Sequence, residues 1–375
     1  MEPDGYGGGM NTGRLSTLYD ASGPFATVML DVSHDTENGD HEHELRVRAA
    51  VEELAELGAP ETLVEDVSTR LGELVKEPAP VARTVVATSS GVLLDEVSHI
   101  RVDQLVVAWG PLPDLVRWVE HQDTLTRFLL AIVDHEGGDV ALYDSDVPEP
   151  QEETSVGGET HHAHKVPVGG WSALRYQHVT ENVWARNAEA VADEIISHVR
   201  AGVRLVLLAG DPQSRPTVLA RLEDTAATVV ELDTGSRNDD GGDDALQQAI
   251  REALMAHVVG RRLEDAHELR DRLGRDDAVA TGVHDIADAF VRGQVDTLLL
   301  DPQAASDLTL DPSDHPGLSL GAAEATGPVR ADLGLLAAAV ATGADVRIAP
   351  SAVLGGAPVA ALLRWDQDAV GTTDA

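Results

Sequence analysis

The chain has 375 residues, 43% of them hydrophobic, which is enough for two or three domains with cores of their own. Cysteine is absent, so disulfides, thiol catalysis and thiolate metal sites are excluded. Acids outnumber bases, 65 Asp and Glu against 27 Lys and Arg, for a formal net charge of -38, and lysine occurs only at Lys76 and Lys165. A charge of this size speaks to solubility and association, not to fold. It is the charge expected of a protein from a halophilic, high-GC host. In high salt, screening shortens electrostatic reach to a few Å, so local arginines and shape outweigh net charge in any contact with nucleic acid. The opening "MEPDGYGGGMNTGRLSTLYD" lacks the basic start and apolar centre of a signal peptide, and residues 1–20 read as a disordered leader. No apolar run reaches the roughly 18 residues of a membrane span. The expected location is the cytoplasm.

Three segments follow, with boundaries expected at 21–126, 127–274 and 275–375. In the first, "FATVMLDVS" (25–33) has the composition of a buried strand. "HEHELRVRAAVEELAELGAP" has helical spacing and is stopped by Gly58 and Pro60. Leu63, Val67, Leu71 and Leu74 repeat that spacing over 60–75. "ARTVVATSSGVLLDEVS" alternates like a hairpin turning at Ser90-Gly91, and "VVAWGPLPDLVRWVEHQ" reads as a Pro-punctuated link into a helix.

The second segment opens with a hairpin, "RFLLAIVDHEGGDVALYD", turning at Gly137-Gly138. A long polar loop is predicted from about Asp144 to Gly170. A loop of this length without structure of its own is usually functional or disordered. Trp184, Ala188, Val191, Ile195 and Val199 then mark a helix. "RLVLLAGDPQSRPTVLARL" is strand, turn and helix, and "TVVELDTG" is another strand. A long helical stretch over 244–274 is apolar at Leu246, Ile250, Leu254 and Leu263, and its "RRLEDAHELRDRL" reads as a solvated charged face with i, i+4 pairs. In the third segment "GVHDIADAFVRGQVDTLLLD" is helix, Gly293, strand; 303–328 reads as a mobile insert; "ADLGLLAAAVATGADVRIAP" is helix then strand; "PVAALLRW" is a final strand. Alternating β and α in the second and third segments predicts α/β layers with largely parallel sheets, beside an α+β first segment.

Within the long loop, Gly169-Gly170 allow backbone conformations closed to other residues and close approach to a partner. Trp171 follows them and is costly to leave in water. Two roles fit it: stacking on a base, with Arg175 nearby, or folding back as a packing anchor. Ser172, Tyr176 and Gln177 continue toward the helix. His161, His162, His164 and Lys165 form a second polar group. Imidazoles bind zinc or nickel, but this spacing in a loop does not preorganise a metal site, and an RNA-facing or merely solvated role suits them better. No metal or cofactor is expected. "AGDPQSRP" (209–216) could hold an anion on its amides or be an ordinary strand–helix turn; it is neither a Walker A motif nor a dinucleotide fingerprint.

"GGWSALRYQ" before a long helix resembles the central domain of the archaeo-eukaryotic release factor and Pelota superfamily, where the stretch reads Gly-Gly-Gln-Ser-Ala-Leu-Arg-Phe. Gly169, Gly170, Ser172, Ala173, Leu174 and Arg175 match, Tyr176 stands for Phe, and Trp171 stands for the glutamine that promotes peptidyl-tRNA hydrolysis. "AFVRGQVDTLLLD" (289–301) and "VLGGAPVAALLRW" (353–365) resemble parts of the family's third domain, whereas the first segment shows no decoding motif. The chain is most similar to the bacterial branch common in actinobacteria, which includes the ribosome hibernation factor Balon. The resemblance implies a three-domain architecture with mixed sheets flanked by helices, and a non-enzymatic factor at the ribosomal A site. It implies a first domain toward the decoding centre, a loop (about 144–178) toward the peptidyl transferase centre, and a third domain meeting elongation factor Tu by analogy with the superfamily's GTPase partners. The expected RNA contacts are Gly169, Gly170, Trp171, Ser172, Arg175, Tyr176, Gln177, His161, His162, His164 and Lys165, on 16S and 23S rRNA of the 70S ribosome. The indole has one donor and no acceptor, so Trp171 cannot position a hydrolytic water. The rival reading is a peptidyl-tRNA hydrolase or tRNA nuclease acting on stalled ribosomes through Gln177, His178 or the histidine group.

Overall fold

A computed structural model of the protein describes residues 13–34, 38–134, 136–147, 149–157, 181–233, 242–275, 277–323 and 325–365. The chain divides into two compact units, one gathering Thr124–Arg261 and the other Gly9–Asp123 with Arg262–Ala375. The first and third segments, expected as separate domains, thus share a unit, though each builds its own sheet.

In that shared unit the chain runs through α1 (Gly13–Tyr19), β1 (Phe25–Asp31), α2 (Gly39–Glu56), α3 (Glu61–Leu71), β2 (Ala82–Thr88), β3 (Gly91–Ser98), β4 (Val106–Gly110) and α4 (Val116–Thr124). The strands form one antiparallel sheet in the order β3-β2-β1-β4. Side chains alternate across a strand, so Ala26, Val28 and Leu30 share one face, where Ala50 and Leu54 of α2 and Leu63, Val67 and Leu71 of α3 cover them. "VVAWG" belongs to this sheet as β4, where the sequence suggested only a link; the prolines at 111 and 113 fall just beyond the strand.

The central unit holds β5 (Arg127–Val133), β6 (Gly138–Asp144), β7 (Glu152–Val156), α5 (Glu181–Arg200), β8 (Leu205–Gly210), α6 (Arg215–Leu222), β9 (Thr228–Glu231) and the first part of α7 (Gly242–Arg275). Its sheet runs β7-β6-β5-β8-β9, antiparallel on the β6 and β7 side and parallel on the β8 and β9 side. Three layers result. Leu129, Ala131 and Val133 of β5 face Val191, Ala192, Ile195 and Val199 of α5. Phe128 and Leu130 face the other way, toward Leu246, Ile250 and Ala253 of α7. Ala188, Val191, Ile195 and Val199 are buried as the predicted stripe requires, the side chain of its first member, Trp184, lying outside the described residues, and each fully buried Val or Ile contributes about 1.5–3 kcal/mol.

The remainder of the shared unit is β10 (Val279–Thr281), α8 (Val283–Val291), β11 (Val295–Leu300), α9 (Pro302–Ser306), β12 (Thr309–Leu310), β13 (Val329–Arg330), α10 (Ala331–Thr342), β14 (Asp345–Ile348) and β15 (Val359–Leu363). Its sheet runs β10-β15-β11-β14, with only the β11–β14 pair parallel. Both sheets of the second and third segments are therefore mixed, as the family resemblance implied, and not largely parallel as alternation suggested.

Four local expectations change. Residues 13–19, within the supposed leader, are helical: Leu15, Leu18 and Tyr19 sit at i, i+3, i+4 and join Leu115, Phe290, Leu335 and Leu336 in one core. Gly321 closes on them at φ +75, where an added Cβ would meet the Tyr19 carbonyl at 2.3 Å, and Ala322 N–H donates to that carbonyl at 2.8 Å. The supposed insert at 303–328 carries α9, β12 and a 3-10 turn, with Leu310, His315 and Leu320 buried. The acids of "RRLEDAHELRDRL" are not all solvated: Arg262 pairs with the buried Asp123 at 3.3 Å, and Arg347 pairs with the buried Asp265. Leu263 is exposed on α7, unlike Leu246 and Ile250. Among the described residues no helix is long and apolar enough to cross a membrane.

Leu15 is 1% exposed. Leu15→Ala is expected to lower unfolding free energy by about 2–5 kcal/mol in chemical denaturation, whereas a leader residue would change it little.

Candidate functional site

The residues singled out by sequence lie between β7 and α5. His161, His162, His164, Lys165, Gly169, Gly170, Trp171, Ser172, Arg175, Tyr176 and Gln177, together with His178, fall outside the described residues. What the structure supplies is the frame that launches and receives this connection.

The frame begins at the β5–β6 turn. Asp134 accepts hydrogen bonds from the backbone N–H of Glu136 (2.7 Å) and Gly137 (3.0 Å), and its own N–H donates to the Gly137 carbonyl at 2.8 Å. This fixes the turn. Beside it runs the end of β7, a strand inside the stretch that the sequence suggested was loop throughout. The approach is very close: a Cβ on Gly137 would sit 2.0 Å from the Val156 carbonyl, and one on Gly157 would sit 2.6 Å from the Glu136 carbonyl. Both glycines hold positive φ, +153 and +89. The Asn187 side chain on α5 comes within 3.3 Å of the Gly157 Cβ position, so the outgoing strand and the incoming helix meet at one place. The end of β7 and the second turn of α5 therefore meet at one edge of the central sheet.

The two faces of that edge differ. Val156 packs on the α5 side with Val191 and its neighbours. On the other side lie Asp139, Tyr143, Glu153 and Ser155. Glu153 pairs opposite Ala141, and Ser155 donates its hydroxyl to Asp139 at 2.7 Å. Burial, helped by the nearby Asp139 charge, pushes the Glu153 carboxyl above the usual range. Burial, with Glu153 adding, pushes the Tyr143 hydroxyl up to about 12, and the Tyr143 ring stacks on Phe128 at 5.4 Å. This side is an acidic margin unsuited to phosphate; the connection returns on the opposite, apolar side through α5.

The other sequence candidate, the turn at 209–216, is closed by the chain's own groups. Asp211 accepts from the Ser214 hydroxyl at 2.9 Å, and the buried Arg215 donates to the Leu232 carbonyl at 3.1 Å and lies within 3.6 Å of Glu231. The first amides of the turn are taken by the Asp211 carbonyl, which accepts from the N–H of Ser214 at 3.0 Å and of Arg215 at 3.1 Å. The turn is structural. Sequence reading missed the roles of Gly137, Gly157 and Asn187 in seating the connection. The only signal was a pair of glycines flanking polar residues.

The sequence of the central unit is similar to that of bacterial relatives of the release factors. Residues 127–275 match the model of the bacterial archaeo-eukaryotic release factor family 2. An uncharacterized protein of Mycobacterium tuberculosis is 30% identical over 380 residues, spanning 95% of this chain and 97% of that protein. The protein belongs to the bacterial archaeo-eukaryotic release factor family 2. A Pelota homolog of Natronomonas pharaonis is 27% identical over 123 residues, 31% of this chain and 35% of that one. Among solved structures, a ribosome-bound archaeal Pelota aligns with 95% of this chain and 94% of its own (TM-score 0.42, 14% identity), and Archaeoglobus fulgidus Pelota with 76% and 80% (TM-score 0.34, 13% identity).

Two outcomes follow from the frame. Gly157→Ala is expected to cost about 1–3 kcal/mol in denaturation, because it combines positive φ with a backbone collision. Glu153→Gln is expected to raise Tm at neutral pH. A raised carboxyl pKa is a penalty present in full above the folded value, so the advantage over wild type should close as pH falls below the ordinary glutamate range.

Proposed function

We propose that this chain is a ribosome-binding hibernation or stress factor that occupies the A site of idle or stalled ribosomes. Its central connection reaches the peptidyl transferase centre and does not release peptide. The observation that carries this reading is a family-type Gly169-Gly170-X-Ser172 sequence with Trp171 at X, within a chain of the release factor family. Hydrolysis at that position needs a group that can hold water against an ester. An indole offers one donor and no acceptor, but it provides a broad stacking face for rRNA or a tRNA end.

In this reading Gly169 and Gly170 let the backbone approach, Trp171 stacks, and Arg175 meets phosphate. Ser172, Tyr176, Gln177, His161, His162, His164 and Lys165 supply further contacts to rRNA. The first segment faces the decoding centre on 16S rRNA, the connection faces 23S rRNA, and the third segment meets elongation factor Tu. Such a protein works in the cytoplasm of its host. The acidic surface fits a high-salt interior, where short-range stacking and hydrogen bonds survive screening.

The test is co-sedimentation with vacant 70S ribosomes of the host at host-like salt, since affinity for nucleic acid has no meaning without a stated salt. Wild type should pellet with ribosomes, Trp171→Ala should pellet at least about fivefold less, as loss of one stacked base implies, and neither should release peptide from peptidyl-tRNA. Peptide release by wild type, abolished by changing Gln177 or His178, would establish the hydrolase instead.

A further inference from the structure

The last turns of α7, the start of β10 and the end of β15 enclose an open pocket of about 570 Å3 within the unit that holds the third segment. Arg272, Arg275, Arg364 and Trp365 line it. Bases are scarce in this chain, 27 in 375 residues, so three arginines in one pocket are a local concentration of base, matched in number by three acids.

The arginines divide the work. Arg272 is scaffold: its Nη1 donates to the Leu363 carbonyl at 3.0 Å and the Ala278 carbonyl at 3.4 Å, and its Nη2 donates to Glu268 at 2.7 Å. Those bonds, with Leu363 N–H donating to the Ala278 carbonyl at 2.8 Å, hold Ala278 at φ 48, a left-handed conformation rare for a residue with a side chain. The pocket floor is thereby fixed. Arg275 is exposed and steadied by an Nε bond to the Asp271 carbonyl at 3.1 Å; among the described residues its terminal nitrogens make no further bond. Arg364 is held only loosely, 3.6 Å from Asp296 and 3.4 Å from the Gly293 carbonyl. Trp365 is 40% exposed, a large indole left in water beside two available guanidinium groups.

We infer that this pocket binds one phosphate–base unit of single-stranded RNA, the base stacked on Trp365 and the phosphate held by Arg275 and Arg364. Guanidinium groups match phosphate oxygens in paired hydrogen bonds, and an indole face stacks any base. Glu268, Asp271 and Asp277 also line the pocket. They oppose a run of phosphates, which limits the site to a single unit, and they can accept from a ribose hydroxyl or an exocyclic amine. An acidic peptide would satisfy the arginines and leave the indole without a planar partner. The inference rests on the ribosome-binding reading for the source of the RNA and adds a second contact, far along the chain from Trp171.

The test is fluorescence anisotropy of labelled hexauridylate with the full-length chain at fixed ionic strength, in a Trp171→Ala background so that the central connection does not dominate. Trp365→Ala and Arg275→Gln should each weaken binding about tenfold, while Trp365→Phe stays within about twofold because it still stacks. Both positions are exposed, so unchanged Tm values check the fold. Absent hexauridylate binding, affinity unchanged in both variants, or preference for a tetra-aspartate peptide would overturn the inference. Loss of hexauridylate binding by these variants with ribosome co-sedimentation intact in the Trp171-containing chain confirms the pocket as a secondary contact. Failure of wild type to co-sediment with ribosomes while hexauridylate binding persists counts against A-site occupation alone.

Discussion

The Gly137 and Gly157 backbones pass so closely that neither position has room for a side chain, and the candidate function depends on that contact. It clamps the end of β7 to the β5–β6 turn, with Asn187 of α5 alongside. The strand that precedes the polar connection and the helix that follows it are thereby held against one another. Those layers are tied by Val191, Ile195 and Val199 against β5 on one side and by Leu246 and Ile250 against Phe128 and Leu130 on the other. A rigid platform carrying a long functional connection is the usual division of labour between scaffold and site.

Electrostatics adds a second constraint. On the ribosome-binding proposal, a chain at -38 meets RNA through local exceptions to its own charge. The acidic margin of Asp139 and Glu153 marks one side of the sheet edge as unfavourable to phosphate. In the other unit, Arg275 and Arg364 beside Trp365 are the proposed exception, set among three acids that line the same pocket. Acids with fixed partners are spent on structure: Asp123 and Asp265 are buried against Arg262 and Arg347, and Arg330 bridges Asp114 and Asp332. Breaking such a buried pair leaves an uncompensated charge, which explains why acids on a helix that looks solvated can be integral to the core.

Much of the fold was legible in the sequence because its elements have clean periods. The stripe Ala188, Val191, Ile195, Val199 and the strand "RLVLLAG" reported themselves directly. The misreadings share a cause: tertiary partners supplied what local pattern lacked. "EETSV" has no apolar alternation because β7 is an edge strand pairing on one side only, so it looked like loop. Residues 13–19 follow a Gly-rich stretch, and their short apolar stripe gains meaning only against Phe290 and Leu335. Leu263 keeps the helical period of α7 but faces solvent, since periodicity fixes a face and not what covers it. Sheet direction was misjudged because alternation of β and α does not show that β7, β10 and β15 pair antiparallel to their neighbours. The candidate site was legible only through the Gly-Gly-Trp-Ser motif; its glycine frame is visible only once two distant carbonyls are placed beside Gly137 and Gly157.

The central claim is that the connection between β7 and α5 carries Trp171 to the peptidyl transferase centre. Chemical probing of 23S rRNA in vacant host ribosomes, with and without the protein, tests it most directly. The account predicts protection of peptidyl transferase nucleotides that disappears with Trp171→Ala while the protein stays folded. Protection confined to other parts of the ribosome, or protection of that centre indifferent to Trp171, would contradict it.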